Sequence, residues 1–80
     1  MSESLFEKVA EIIAERRHIS AEQITLDTTF AELGVDSLEA LSLIYDFEDV
    51  FDVEIPNEEA VTIQNVRNVV ESLERLGVSV

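Results

Sequence analysis

The chain has 80 residues, no cysteine and a formal net charge of −13, from 18 acidic residues against five lysines and arginines. This length suits one small domain, and without cysteines neither disulfides nor thiolate metal sites can support it, so packing has to stabilise the fold. The net negative charge repels phosphate backbones and anionic lipid surfaces, which argues against nucleic acids and membranes as partners.

The charge is distributed unevenly along the chain. No lysine or arginine lies between Arg17 and Arg67, whereas acidic residues recur throughout that interval. We therefore expect one acidic region that faces basic surfaces of other proteins. The amino-terminal MSESLFEK has no basic segment before an apolar run, and no apolar stretch approaches the roughly 18 residues that span a bilayer. We expect a cytoplasmic, monomeric protein whose single domain covers residues 1–80.

A first helix is predicted from about Ser4 to Arg17. Apolar residues recur in it at helical spacing, at Leu5, Val9, Ile12 and Ile13. The following HISAEQITLDTTFAELG contains a capping-box pattern, Ser20 with Gln23, but few apolar positions. It is predicted to be a long connection with one or two short helical turns. Four of its side chains are expected to tie it to the core, namely Ile24, Leu26, Phe30 and Leu33.

A second helix is predicted to begin at Asp36 and to run to about Phe51. DSLE at its start has the capping-box pattern, with Glu39 three residues after Asp36. DVEIPNEEA then breaks the helical pattern. Pro56 suits the start of a short third helix that continues through Val61.

A last helix is predicted from a run of apolar residues at i, i+3, i+4 and i+7, which are Val66, Val69, Val70 and Leu73. It should end near Gly77, a residue type that favours helix termination. The terminal VSV resembles a strand but is too short to form a sheet. The sequence therefore predicts an all-α fold, a small four-helix bundle of three longer helices and one short helix, with a long connection between helices one and two.

The second helix carries two apolar stripes. At about 100° per residue, the predicted core face is centred near 190° from Leu38 and contains Ala40, Leu43, Ile44, Phe47 and Phe51. Leu41 and Tyr45 fall with Leu38 at roughly 330°. Polar and acidic residues flank this second stripe, Ser42, Asp46 and Asp49 on one side and Glu48 and Asp52 on the other. Such a stripe suits docking of a basic protein, but the long connection is an equally good candidate to cover it.

Ser37 is predicted to lie in the first turn of the second helix, directly after Asp36. Backbone N–H groups and the positive end of the helix dipole favour an anion there, bound or attached. Gly34 has no side chain and lets a macromolecule approach the backbone closely. Taken alone, however, GVDSL is more often an ordinary helix start with an aspartate cap than a functional site.

The wider sequence resembles the acyl carrier protein family. LGVDSLEAL, a helix that ends in FEDVF, then EIPNEEA and TIQNV occur in that family's order and spacing, and the resemblance covers nearly the whole chain. It implies a carrier and not an enzyme, with 4′-phosphopantetheine covalently attached to Ser37. It also implies that the carrier shuttles acyl thioesters between enzymes of fatty-acid, polyketide or related biosynthesis.

The resemblance assigns further roles by position. Asp36 and Leu38 belong to the cofactor-binding motif, and Asp36 would help a transferase to place coenzyme A and a divalent ion. The partner-docking positions are Leu38, Glu39, Leu41, Tyr45 and Glu48. The positions that shelter an acyl chain are Phe47, Ala60 and Ile63. The implied partners are a phosphopantetheinyl transferase, acyltransferases, ketosynthases and similar enzymes with basic docking patches.

Several positions depart from the pattern of the general fatty-acid carriers. Ser42, Val50 and Val61 stand where those carriers have acidic residues, and Asp46 stands where they are often small and apolar. Tyr45 stands where those carriers usually have methionine or a similar side chain. The segment FAELG is one residue shorter than its counterpart in those carriers. These differences favour a specialised carrier over the housekeeping one.

Other functions fit the sequence less well. A serine hydrolase needs a base against Ser37, but His18 is the only histidine and lies at the end of another helix. The acidic residues from Asp46 to Glu54 lack the glycine and ligand order of a calcium loop, so no dedicated metal site is predicted. An acidic helical adaptor or inhibitor without a prosthetic group is the remaining alternative, and modification of Ser37 distinguishes it from a carrier.

Overall fold

The computed structural model describes residues 4–78, which form a bundle of four α-helices. They are α1 (Leu5–Arg17), α2 (Ser37–Phe51), α3 (Asn57–Ala60) and α4 (Val66–Arg75), with one 3₁₀ turn at Ala21–Gln23. The predicted fold class, three longer helices and one short one, is therefore confirmed. Of the terminal VSV, Ser79 and Val80 lie outside the described residues.

Local signals set the helix ends. Ser4 caps α1 through a complete capping box with Glu7, and Ser20 does the same for the 3₁₀ turn with Gln23, as its sequence predicts. The first two long helices end in left-handed residues that are not glycine, His18 with φ 58° and Asp52 with φ 52°. Aspartate and histidine tolerate this conformation better than most side chains do.

The core forms where α2 packs on its neighbours. Leu43, Ile44 and Phe47 are buried, as predicted for the core face of α2, while Ala40 and Phe51 are half-buried. The helices α1 and α4 contribute buried residues to the same cluster, Val9 and Ile13 from α1 and Val66, Val69 and Leu73 from α4. Burial of each such side chain contributes about 1.5–3 kcal/mol, which makes this cluster the main stabilising feature of a chain without crosslinks.

The long connection between α1 and α2 is fastened to the start of α4. Its backbone pairs with that segment through Phe30 N to Gln64 O at 3.1 Å, Val66 N to Thr28 O at 3.0 Å and Arg67 N to Leu26 O at 2.9 Å. Of the four side chains predicted to tie it to the core, Ile24 and Phe30 are buried, and Leu26 and Leu33 are half-buried against the core. The connection therefore holds a defined path to Ser37.

A polar cluster joins the short α3 to α4. Ser72, 1% exposed, donates its hydroxyl to Oε2 of Glu59 at 2.7 Å, and Nη2 of Arg75 donates to the same oxygen at 2.7 Å. The pKa of Glu59 is lowered from its ordinary value of 4.5, most strongly by the hydrogen bond from Arg75 and next by the hydrogen bond from Ser72. Pro56 caps α3 without a side-chain hydrogen bond, so this cluster fixes a helix of four residues.

We expect Glu59→Gln to lower the stability of the protein at pH 7. The pKa of Glu59 is lower in the folded state than in the unfolded state. Its carboxylate therefore stabilises the fold fully above the unfolded-state pKa, and this stabilisation is lost as the pH falls through the folded-state pKa. The difference in melting temperature between wild type and variant should therefore shrink below about pH 4.5. Thermal melts between pH 7 and pH 3 test this, with Glu58→Gln as the control on the adjacent exposed residue. A difference that stays constant with pH would contradict the cluster's role.

Candidate functional site

The start of α2 is held by Asp36. Its side chain accepts a hydrogen bond from the N–H of Glu39 at 2.8 Å, and its carbonyl accepts one from Ala40 at 2.8 Å. The predicted capping box is only half formed, however, because the carboxylate of Glu39 does not return to the backbone of Asp36. It pairs instead with Arg17 at the end of α1.

Ser37 is the first residue of α2 and is exposed. Within residues 4–78 its hydroxyl has no hydrogen-bond partner, so it is open to an incoming group. The preceding Gly34 has φ 75°, and a Cβ at that position would lie 3.3 Å from Nη2 of Arg17. The left-handed backbone favours glycine at this position, and the missing side chain leaves room for the guanidinium; the sequence pattern reveals neither feature.

A surface pocket of about 380 Å³ opens beside Ser37. Its apolar lining comes from the connection, the first turn of α2 and the segment before α4, namely Phe30, Ala31, Val35, Ala40 and Ile63. Of the three predicted shelter residues, only Ile63 lines it. Phe47 is fully buried in the core, ten residues and about 15 Å along the helix from Ser37. Ala60 is half-buried against the core outside this lining.

The second apolar stripe of α2 faces outward. Leu38 is 77% exposed, Leu41 46% and Tyr45 63%, so the long connection does not cover them. The interpretation that it does is wrong because the connection is bound to the start of α4 instead. Three exposed apolar side chains in one row next to Ser37 form a surface that loses unfavourable contact with water when a partner covers it.

The acidic residues beside this stripe are not equally available. Arg17 Nη1 lies 2.5 Å from Oε1 of Glu39, and Arg16 Nη2 lies 2.6 Å from Oδ2 of Asp46. On the other flank, Glu48 accepts the N–H of Ile55 at 2.7 Å. The carboxylates of two further acids on α2, Asp49 and Asp52, have no hydrogen bond or ion pair within residues 4–78. Both carboxylates predicted for docking, those of Glu39 and Glu48, are therefore engaged inside the fold, and their docking role stays a prediction.

Comparison with known proteins agrees with this geometry. The family model described as "Phosphopantetheine attachment site" matches residues 7–73. An acyl carrier protein of Akkermansia muciniphila is 40% identical over 74 residues, 91% of this chain and 92% of that protein. One of Helicobacter acinonychis is 42% identical over 72 residues, 89% and 92% of the two chains. The chain belongs to the acyl carrier protein family.

A solved structure supports the same assignment. The acyl carrier protein of Thermotoga maritima superposes with a TM-score of 0.77 and 32% identity, over 90% of this chain and 85% of that one. The chain is thus a carrier protein and not a catalyst, and its cofactor is covalently attached 4′-phosphopantetheine. An exposed serine hydroxyl without a partner at a helix start fits such a group. Between residues 4 and 78, no helix has the length and apolar character to cross a membrane.

We expect Asp36→Ala to destabilise the protein by about 1 kcal/mol, a decrease in melting temperature of roughly 4–8 °C for a domain of this size, because the variant loses the cap of α2. Asp36→Asn is the matched control, since asparagine also accepts the N–H of Glu39 and should remain near wild type. Thermal unfolding at pH 7 measures both. Equal destabilisation by the two changes would show that the charge of Asp36, and not its cap, stabilises the helix.

Proposed function

We propose that Ser37 bears the 4′-phosphopantetheine arm. On this proposal, the protein carries acyl groups as thioesters between cytoplasmic enzymes of fatty-acid, polyketide or related biosynthesis. The observation that carries the proposal is the placement of Ser37. It is exposed, has no hydroxyl partner in the described chain, and stands at the start of a helix beside an apolar pocket. The net charge of −13 opposes association between copies, which supports a monomer.

The start of α2 suits a phosphodiester on Ser37. The first N–H groups of a helix lack intrahelical acceptors and carry partial positive charge, so they stabilise an anion placed there. Asp36 fixes this turn through its bond to Glu39 N, and we propose that it also helps the transferase to orient coenzyme A and a divalent ion. When attached, the arm supplies a thiol that forms and releases thioesters.

The pocket beside Ser37 is the proposed shelter for the first part of an acyl chain. Ala40 from α2 and Ile63 from the segment before α4 both line it, and Phe30 from the connection contributes a buried aromatic ring. Phe47 and Ala60, the other two predicted shelter residues, lie in the core cluster and against it, outside the lining of this pocket. An apolar chain that enters this pocket is stabilised by about 25 cal/mol for each Å² of its surface that is removed from water. In a surface pocket, this favours partial shelter without permanent binding.

The stripe of Leu38, Leu41 and Tyr45 is the proposed docking surface for the transferase, acyltransferases and ketosynthases. A carrier must release each enzyme before it meets the next, so its docking has to be fast and weak. Electrostatic attraction from an acidic surface accelerates encounter with basic patches. Three side chains that are 46–77% exposed supply apolar contact over a small area.

The mass of the intact protein tests the attachment site. After incubation with coenzyme A and a broad-specificity phosphopantetheinyl transferase, wild type should gain one phosphopantetheine and Ser37→Ala none. Ser42→Ala is the matched control, because it removes the other serine of α2 and should leave the gain intact. A gain in Ser37→Ala would contradict the assignment, and no gain in folded wild type would favour an adaptor without a prosthetic group.

A specialised pathway is the second part of the proposal. Its support is the altered surface of α2, where Tyr45 is 63% exposed, Val50 is 54% exposed and Asp46 is paired with Arg16. We expect housekeeping fatty-acid enzymes to malonylate and elongate the loaded protein more slowly than their own carrier. Product analysis of a reconstituted elongation reaction measures this, and equal rates would contradict specialisation.

A further inference from the structure

We propose that Arg17 determines which partners this carrier accepts, because it holds the carboxylate of Glu39 inside the fold and presents a positive charge beside the docking surface. This inference rests on the proposed docking role of α2. It concerns the choice among basic partners and not the attachment of the arm.

The ion pair between Arg17 and Glu39 is confined on several sides. Nη1 of Arg17 lies 2.5 Å from Oε1 of Glu39, and the two side chains are only 31% and 28% exposed. Nη2 of the same guanidinium lies close to Gly34, where even a Cβ would come within 3.3 Å. The pair thus links the end of α1, the connection and the first turn of α2, and it has less freedom than an open surface pair.

The angular position of Glu39 around α2 shows which part of the docking surface the ion pair affects. At about 100° per residue, Glu39 lies roughly 100° around the helix from Leu38, on the side of α1. Ser37 lies roughly 200° from Glu39, on the other side of the stripe. Arg17 therefore affects the edge of the docking surface and leaves the attachment site clear.

A second pair extends the same neutralised edge. Nε and Nη2 of Arg16 donate to Oδ2 of Asp46 at 2.8 Å and 2.6 Å, with side chains 35% and 38% exposed. Asp46 lies two turns beyond Glu39 on the side of α1. The last turn of α1 thus places two guanidinium groups along one border of the docking stripe.

Attractive charge remains at the far end of α2. The exposed Asp49 and Asp52 have no side-chain partner among residues 4–78 and continue the direction of the stripe. They lie 11 and 14 residues beyond Leu38, or about 16–21 Å along the axis. The partner that fits has an apolar contact near the entrance for the arm and basic side chains about 16–21 Å away from it.

Partners with a cation opposite Glu39 are disfavoured in two ways. They have to displace Arg17 from a partly buried pair, and they bring a positive charge toward its guanidinium. A repulsive element of this kind separates related partners more sharply than attraction alone does. Arg17 therefore disfavours enzymes that bind the carrier through a cation at the first turn of α2.

The test uses transfer of phosphopantetheine from coenzyme A by a transferase whose docking patch places an arginine beside its active-site entrance. With Arg17→Gln, Glu39 is released, and we expect KM for the carrier to fall about three- to tenfold with kcat unchanged. Adding Glu39→Gln to this variant should raise KM back toward the wild-type value, because the released carboxylate is removed. Asp49→Asn should raise KM both in wild type and in Arg17→Gln.

Arg67→Gln is the matched control. Arg67 also pairs with an aspartate, Asp27, but this pair joins α4 to the connection and includes no residue of α2, so the variant changes the net charge equally without releasing Glu39. Its KM should stay within about twofold of wild type. Melting temperatures at pH 7 confirm that each variant is folded.

The outcomes separate this inference from the proposed function. If wild type gains phosphopantetheine at Ser37 but Arg17→Gln lowers KM no more than Arg67→Gln does, the role of Arg17 is wrong and the carrier function stands. The role is also wrong if adding Glu39→Gln leaves the KM of Arg17→Gln unchanged, because the released carboxylate then contributes nothing to docking. If wild type gains nothing at Ser37, the proposed function itself fails.

Discussion

Burial of one face of α2 is the constraint on which the rest of the structure depends. Leu43, Ile44 and Phe47 enter the core, and a helix has a single rotation about its axis. Once that face is inside, Leu38 and Tyr45 have to point outward. The exposed stripe is therefore a consequence of the core, and a rotation that hid the stripe would expose Phe47. Stability and exposure are two results of the same packing.

The arginines complete the fold and also shape its surface charge. All four form ion pairs within the described chain, and the pairs join α1 to α2, the connection to α4, and α3 to α4. Each pair adds little stability when exposed to water. Together, however, they neutralise four particular acids, so the carboxylates that have no partner within residues 4–78 give the outer surface its strong negative character.

The sequence predicts the elements that depend on neighbours in the chain. The capping pattern at Ser20 and the apolar spacing of α2 predict a cap and a buried face correctly, because the interacting residues lie within four positions of each other. At Glu39, a prediction from neighbouring residues alone is wrong. Its spacing from Asp36 predicts a return bond to the backbone, but Arg17, 22 residues earlier, offers a full positive charge at 2.5 Å. The pocket lining is equally non-local, since Phe30 and Ile63 meet only after the connection pairs with the start of α4.

The same acids serve the fold and limit how the surface can change. Glu48 holds the N–H of Ile55, and Glu39 holds Arg17, so replacing either to alter docking also removes an internal bond. Asp49 and Asp52 lack such bonds within residues 4–78, and their substitution affects mainly the charge that a partner meets. The end of α2 far from Ser37 is therefore where the surface charge can vary at least cost to stability, while the end near Ser37 has to keep the geometry on which the proposed attachment of the arm depends.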